Sequence, residues 1–324
     1  MQKKKAAIFA ISTKIIQFAV SKTNNHMKVP PYLKKRDKIA IVAPAGRVNK
    51  DLSEAVKIFE SWGLEVVIGE SVRSSYHQFA GDDRLRINDF QRMLNDESVK
   101  AIIAARGGYG TVRIIDELDF SDFKNNPKWI VGYSDITALH GHIQAQFGIP
   151  TIHGQMPWTI SDATDLSLET LRKALFGEEI DYQYSSCSTN VSGYAEGILT
   201  GGNLALLVNI AGSVSEPDYK GKVLFIEDVS EYYYSIDRMM RMLKRAGRLK
   251  DIRALIVGGF TSLKDGDPSF GFTALEIIMD VIKEYSYPVA TDFPAGHIDN
   301  NQSLIFGKKV SLDIKKKNVH LKYL

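Results

Sequence analysis

Three side chains far apart in this chain have the types needed to cleave an acyl bond together: the hydroxyl of Ser134, the imidazole of His297 and the carboxylate of Glu227. A serine hydroxyl is a poor nucleophile at neutral pH, so it needs a base within hydrogen-bond reach and a third group to fix that base. Ser134 stands in Trp129-Ile-Val-Gly-Tyr-Ser134-Asp135-Ile136, an apolar run that stops at the serine and turns into an amphipathic segment. The pattern predicts strand, sharp turn and helix, a corner that exposes the hydroxyl and aims free N–H groups back at it. Gly132 to Ile136 matches the first half of a Gly-x-Ser-x-Gly elbow, with Ile136 where the last glycine would stand. The competing role is a cap, in which the serine oxygen satisfies orphan N–H groups at a helix start. Glu227 and Asp228 end the run Lys222-Val-Leu-Phe-Ile, where a carboxylate can orient a histidine, cap a helix or be solvated. His297 lies in Pro294-Ala-Gly-His-Ile-Asp-Asn300, a loop position that exposes a ring.

A second candidate is Arg106-Gly107-Gly108-Tyr109-Gly110, which follows an apolar run. It lacks the Gly-Lys-Ser/Thr end of a phosphate loop and the Gly-x-Gly-x-x-Gly spacing of a dinucleotide fold. Its better use is to offer backbone N–H groups to a developing oxyanion, since glycine lets a substrate approach the main chain. Other metal or base candidates are weaker. His140 and His142 are two apart on an expected helix and face different ways, and His153 sits in a turn as a structural or supporting residue. His297 with Asp299 lacks the further ligands of a zinc site, so no metal and no cofactor is expected.

The elements that must position these groups alternate. Apolar runs Lys38–Gly46, Leu64–Ile68 and Val99–Ala105 alternate with helical patterns Leu52–Trp62 and Arg84–Leu94, which predicts βαβ units and a largely parallel sheet. Ligands of such sheets gather beyond the carboxyl ends of the strands. That rule puts Ala43–Gly46, Arg106–Gly110 and Tyr133–Asp135 on one rim. The later chain predicts strands over Gly193–Thr200, Lys222–Asp228, Ala254–Phe260 and Val289–Phe293, helices over Ile236–Ala246 and Thr273–Glu284, and an antiparallel tail. The fold class is therefore α/β, with a parallel-sheet nucleophile domain over 27–165, a linker over 166–192 and a C-terminal α/β domain with antiparallel strands over 193–324. Length supports two domains. A hydrophobic share of 44% with 24% charged residues excludes default disorder, and a net charge of +3 gives no electrostatic case for nucleic acid. The single Cys187, among serines and threonines, excludes an internal disulfide. Residues 1–26 read as a degenerate signal peptide, an amphipathic surface helix or, preferred here, a disordered or dispensable extension, too short and interrupted to span a bilayer or insert stably in a membrane.

Taken together, Ala43-Pro-Ala-Gly46, Arg106-Gly-Gly-Tyr-Gly110, Gly132-Tyr-Ser-Asp-Ile136, His153-Gly154, Gly201-Gly-Asn-Leu204, Ile226-Glu-Asp-Val229 with Tyr234 and Ile236-Asp-Arg238, and Gly296-His297 resemble the LD-carboxypeptidases. That serine peptidase family includes muramoyl-tetrapeptide carboxypeptidases and microcin-immunity hydrolases. The resemblance implies a site between two domains, a homodimer and no metal. It implies Ser134 as nucleophile, His297 as general base and then acid, and Glu227 as its orienting carboxylate. The oxyanion donors it implies are the N–H groups of Asp135 and of Gly107 or Gly108, with Gly108 preferred. Arg106, Gly107 and Tyr109 are expected to meet substrate; by its place on the rim and its charge Arg106 either neutralises the free carboxylate of an exopeptidase substrate or stabilises its own loop through carbonyl contacts. The implied reaction releases D-alanine from a peptidoglycan-derived tetrapeptide in cytoplasmic cell-wall recycling. Two alternatives are a microcin-immunity-type hydrolase acting on peptide-nucleotide antibiotics and a non-catalytic ligand-binding protein using the glycine rim.

Overall fold

The computed structural model describes residues 28–324, so the expected extension over 1–26 lies outside the described residues. In the first half, β1 (Lys38–Val42), β2 (Glu65–Ile68), β3 (Val99–Ala104), β4 (Trp129–Gly132) and β5 (Thr151–His153) alternate with helices Ser53–Ser61, Asp83–Asn95 and Thr137–Phe147. Apart from Lys38 and Lys100, β1, β3 and β4 are apolar and nearly all buried, as strands covered on both faces must be. The second half supplies β6 (Asp181–Ser185), β7 (Gly193–Asn203), β8 (Lys222–Val229), β9 (Ala254–Thr261), β10 (Val289–Ala290), β11 (Leu304–Phe306), β12 (Lys309–Ile314) and β13 (Asn318–Tyr323). Its helices include Tyr233–Arg245, whose Ile236, Met239, Met240 and Leu243 form the buried face, and Ala274–Ile282, opened by a capping box between Thr273 and Glu276.

Two sheets result. The first has the order β11-β5-β4-β3-β1-β2, parallel except for β11, and the second β10-β9-β8-β7-β12-β13-β6. Strands β7 to β10 of the second sheet run parallel, and β7, β12, β13 and β6 pair antiparallel. The order in the first sheet reverses between β1 and β3, which opens a crevice at their carboxyl ends.

Three expectations need correction. The stretch 166–192, expected as a linker with a helix over Leu166–Phe176, does carry that helix, as Asp165–Phe176, but also supplies the edge strand β6 and is no linker. Leu171, Ala174 and Leu175 of that helix and Tyr182 of β6 belong to a buried cluster that also holds Val131 and Phe225, so they tie the halves together. Strand β10 stops at Ala290 instead of Phe293, because Asp292 adopts a left-handed φ of 56° and the Thr291 N–H turns to Asn190 Oδ1 at 2.7 Å. The antiparallel tail divides: β11 completes the first sheet, and β12 and β13 stay in the second. Among the described residues no helix is long and apolar enough to cross a membrane.

Candidate active site

The elbow forms where β4 runs out. Ser134 has φ 63°, a left-handed conformation that costs a non-glycine residue roughly 1–3 kcal/mol and persists only where surroundings impose it. Here they do. The Gly132 carbonyl accepts from His140 Nε2 at 2.8 Å and from the Gly154 N–H at 3.3 Å. Burial pushes the His140 pKa down to about 4 against the opposing pull of that carbonyl, so the ring is neutral and Nε2 carries the hydrogen it donates. Ile136 also has a job: a Cβ added at Gly132 would lie 2.8 Å from its Cγ1, so the isoleucine fills the space that the glycine leaves. The capping role is not the one Ser134 takes. It lies inside a short 3₁₀ turn, Ser134–Ile136, capped by Tyr133, and Ile136 is the cap of helix Thr137–Phe147.

The glycine loop closes on this elbow. A Cβ on Gly107 would come within 2.9 Å of Ser134 Cβ, 3.0 Å of its Oγ and 3.4 Å of the Asp135 nitrogen. Only a glycine lets the two chains approach so far. The Asp135 carboxylate, fully buried, accepts from the Thr111 N–H at 2.8 Å and anchors the far end of the loop. Burial raises its pKa, opposed by those hydrogen bonds and by Arg86. The Gly107 carbonyl accepts from the Gly46 N–H at 3.1 Å. In a trans peptide C=O and N–H point opposite ways, so the Gly108 N–H is turned away from Gly46.

Glu227 arrives from the second sheet. Pairing between β8 and β9 shifts register between Ile226 and Asp228, and such a bulge re-aims a side chain. Glu227 is fully buried, and its Oε2 accepts from His297 Nδ1 at 2.6 Å and from the His297 N–H at 3.2 Å. With Nδ1–H committed to the carboxylate, Nε2 of the neutral ring is the free acceptor. Burial alone would lower the His297 pKa; the Glu227 charge and hydrogen bond, with Asp228 behind them, outweigh it and raise the pKa. The Gly296 before it, at φ 110°, is required because a Cβ there would lie 2.8 Å from Glu227 Cβ. The loop is also held by Asn301, whose Oδ1 accepts from the Gly296 N–H at 2.8 Å, and by the Gly259 N–H, which donates to Ala295 O at 2.9 Å.

The two halves meet at Tyr133, whose ring packs edge-on to His297 with centroids 4.8 Å apart. Beside them lies a cavity of about 220 Å³ lined by Tyr133, Gln155, Thr159, Asp162 and His297 among others. The residues singled out from the sequence thus gather from the ends of β3, β4 and β8 and the loop beyond β10. Asp228 does not join them. It accepts from Asn203 Nδ2 and from the Ala205 and Val229 N–H groups, a helix-capping role, and burial beside Glu227 pushes its pKa up to about 7. His153 is buried against Tyr133, Phe225 and Phe306 behind the cavity. Arg106 lies over the Trp158 ring at 4.1 Å and donates to Arg47 O at 2.9 Å; burial lowers its pKa, with Arg47 adding to the effect. Tyr109 is half exposed at the rim.

Sequence reasoning missed the support of His140, dismissed as a metal ligand, and the buried Arg86. The latter carried a signal, because it shares a helix face with Phe90, Met93 and Leu94.

The chain matches known proteins along nearly all of this architecture. Residues 39–154 match the LD-carboxypeptidase N-terminal domain and 196–312 the LD-carboxypeptidase C-terminal domain. Over 300 residues, 89% of this chain and 92% of the relative, it is 35% identical to the probable murein peptide carboxypeptidase of Bacillus subtilis. It is 26% identical over 298 residues, 85% and 93% of the two chains, to the murein tetrapeptide carboxypeptidase of Pseudomonas aeruginosa. The crystal structure of muramoyltetrapeptide carboxypeptidase from Oxalobacter formigenes aligns with a TM-score of 0.81 at 31% identity, covering 88% of this chain and 98% of that one. The microcin C7 self-immunity protein in complex with aspartyl sulfamoyl adenosine aligns at 0.82 with 23% identity, covering 91% and 98%, a likeness of fold alone. Carrying both domains in sequence and fold, the chain belongs to the LD-carboxypeptidase family.

Proposed function

We propose that the protein is a serine carboxypeptidase that hydrolyses the L,D-amide before the terminal D-alanine of a murein tetrapeptide, with Ser134, His297 and Glu227 as its triad. The observation that supports it is a strained elbow serine at φ 63° whose neighbour Tyr133 packs against a histidine, His297, with its Nδ1 2.6 Å from a buried glutamate. Ser134 Oγ attacks the amide carbon as its proton passes to His297 Nε2, and Glu227 stabilises the imidazolium so formed. The oxyanion takes hydrogen bonds from the Asp135 and Gly108 N–H groups. The imidazolium then protonates the departing D-alanine nitrogen, the C–N bond breaks, and water attacks the acyl-enzyme with His297 again as base. Arg106 pairs with the substrate's free carboxylate, with Gly107 and Tyr109 flanking it.

Ser134→Ala is expected to lower turnover by roughly 10⁴ to 10⁶, measured as D-alanine released from a defined muropeptide. Near-normal release by that variant would defeat the assignment. The rival, a hydrolase of peptidyl or aminoacyl nucleotides, shares the triad and rests on the fold of the self-immunity protein. Parallel assays on a muropeptide and an aminoacyl-sulfamoyl adenylate separate the two. A non-catalytic binder would leave Ser134 unlabelled by a fluorophosphonate. The recycling role, cytoplasmic residence and a homodimer complete the proposal; fractionation and sedimentation test the last two.

A further inference from the structure

We infer that Arg86 is a positioning residue that sets the oxyanion loop, an inference that rests on the hydrolase proposed above. Its guanidinium is fully buried, a costly place for a charge unless it is firmly paired. Nη1 donates to two carbonyls at once, Pro44 O at 2.5 Å and Gly110 O at 2.9 Å, and Nη2 pairs with Asp83. Those carbonyls belong to the loops after β1 and β3. Gly110 is a glycine for this contact: at φ 141°, an added Cβ would lie 2.7 Å from Arg86 Nη1.

The two loops are also joined nearer the nucleophile, where the Gly46 N–H donates to Gly107 O at 3.1 Å. That bond fixes the peptide plane between Gly107 and Gly108, and with it the direction of the Gly108 N–H. Pro44 is two residues from Gly46, and Gly110 three from Gly107, so Arg86 holds both strands of the link at their bases. Asp135 grips the same loop from the elbow side through the Thr111 N–H. A buried cation and a buried carboxylate thus fasten adjacent residues, Gly110 and Thr111, of one loop. Neither the helix carrying Arg86 nor its side chain needs to touch substrate for this to matter: a 1 Å displacement of an oxyanion donor costs on the order of 100-fold in rate.

The test compares Arg86→Lys and Arg86→Met with the parent chain, with rates expressed per serine titrated by a fluorophosphonate. Lysine keeps the charge but cannot bridge two carbonyls and a carboxylate with a planar fork. We expect kcat to fall roughly 10-fold for Arg86→Lys and roughly 100-fold for Arg86→Met with KM within about threefold. Affinity for a peptidyl boronate, whose tetrahedral adduct places an oxygen in the oxyanion site, is expected to fall in step with kcat. Binding of intact tetrapeptide to the Ser134→Ala background is expected to stay within about threefold, as a transition-state effect requires. Gly46→Ala perturbs the same link without removing a buried charge, since its Cβ would lie 2.9 Å from Gly107 O, and keeps the test open where an Arg86 variant fails to fold. Its kcat and boronate affinity are expected to drop together. Unchanged kcat per titrated serine, or equal losses for boronate and intact peptide, would overturn the inference. An active Ser134→Ala would instead overturn the hydrolase proposal itself.

Discussion

Replacing Glu227 by glutamine removes one charge and leaves the side-chain shape, so it isolates what the carboxylate does for His297. In the parent chain Glu227 Oε2 holds both Nδ1, at 2.6 Å, and the backbone N–H of His297, at 3.2 Å. A hydrogen bond to a charged group contributes roughly 1.5–3 kcal/mol, and each 1.36 kcal/mol is about tenfold in rate. Lost stabilisation of the imidazolium therefore accounts for about 10- to 100-fold. A second loss is added because an amide can offer its NH₂ to Nδ1. That partner favours the tautomer with hydrogen on Nε2, which cannot accept the serine proton, and brings the expected fall in kcat to the order of 10⁴. The pH profile gives an independent readout. His297 must be neutral to act as base, and its pKa is raised, so the acid limb of kcat/KM lies above the ordinary histidine range. Without the Glu227 charge, burial dominates and the limb moves to lower pH. Rates on a muropeptide from pH 5 to 9, with folding followed by circular dichroism, decide the matter. A folded Glu227→Gln enzyme within tenfold of the parent, its acid limb unmoved, would refute the role given to Glu227.

Gly107→Ala, at a position with no left-handed φ to strain, puts a Cβ 3.0 Å from Ser134 Oγ. It is expected to lower kcat by at least about 100-fold while the enforced shift at the elbow costs about 1–3 kcal/mol of stability, with rates compared on folded enzyme; an active variant would remove the loop from the site. Arg106→Met is expected to raise KM roughly 10- to 100-fold for a free-acid tetrapeptide and to spare the C-terminal amide. Equal effects on both would leave Arg106 only its contacts with Arg47 O and Trp158. His140 has a folded-state pKa of about 4, below the unfolded value near 6.5. The unfolded chain thus takes up the proton first as pH falls, and stability is full above pH 6.5 and lost toward pH 4. The loss is on the order of 3 kcal/mol, read from urea midpoints, and His140→Gln is expected to flatten it; a parent chain with equal midpoints at pH 7 and pH 4.5 would refute this.

The first sheet was legible because strands buried on both faces show as near-continuous apolar runs, and helices between them as 3.6-residue periodicity. The elbow was legible for the same reason, since the apolar run Trp129–Tyr133 gives way at Ser134, one residue beyond the end of β4. What the sequence did not disclose was non-local. Nothing in Leu304–Phe306 says that it pairs with β5 while its neighbours β12 and β13 join the other sheet. Tyr182 was hidden in a Ser-rich stretch, yet it is fully buried and donates to Ser303 O across the molecule. Glu227 and Asp228 are adjacent carboxylates with opposite uses, and only the bulge opposite Val257 and Phe260 decides which one faces the histidine.

The same non-locality explains how a strained serine is kept. A left-handed Ser134 is worth roughly 1–3 kcal/mol to relax, so an elbow supported only by its own turn would flatten. Each support comes from elsewhere: His140 a full helical turn along, Gly154 from β5's exit, Gly107 from the loop after β3. The second sheet contributes as well, since Gly202 packs against Thr137, the first residue of the helix after the elbow, and the Asn203 N–H donates to Thr137 Oγ1 at 3.0 Å. Glu227 pairs with Asn203 in register across β7 and β8. One strand of the second sheet therefore lies against both the elbow helix and the Glu227 carboxylate that accepts from His297, so Ser134 and His297 are referenced to a common backbone. Displacing either half moves both groups, which is why a site assembled from two sheets can hold its geometry without a covalent tie between them.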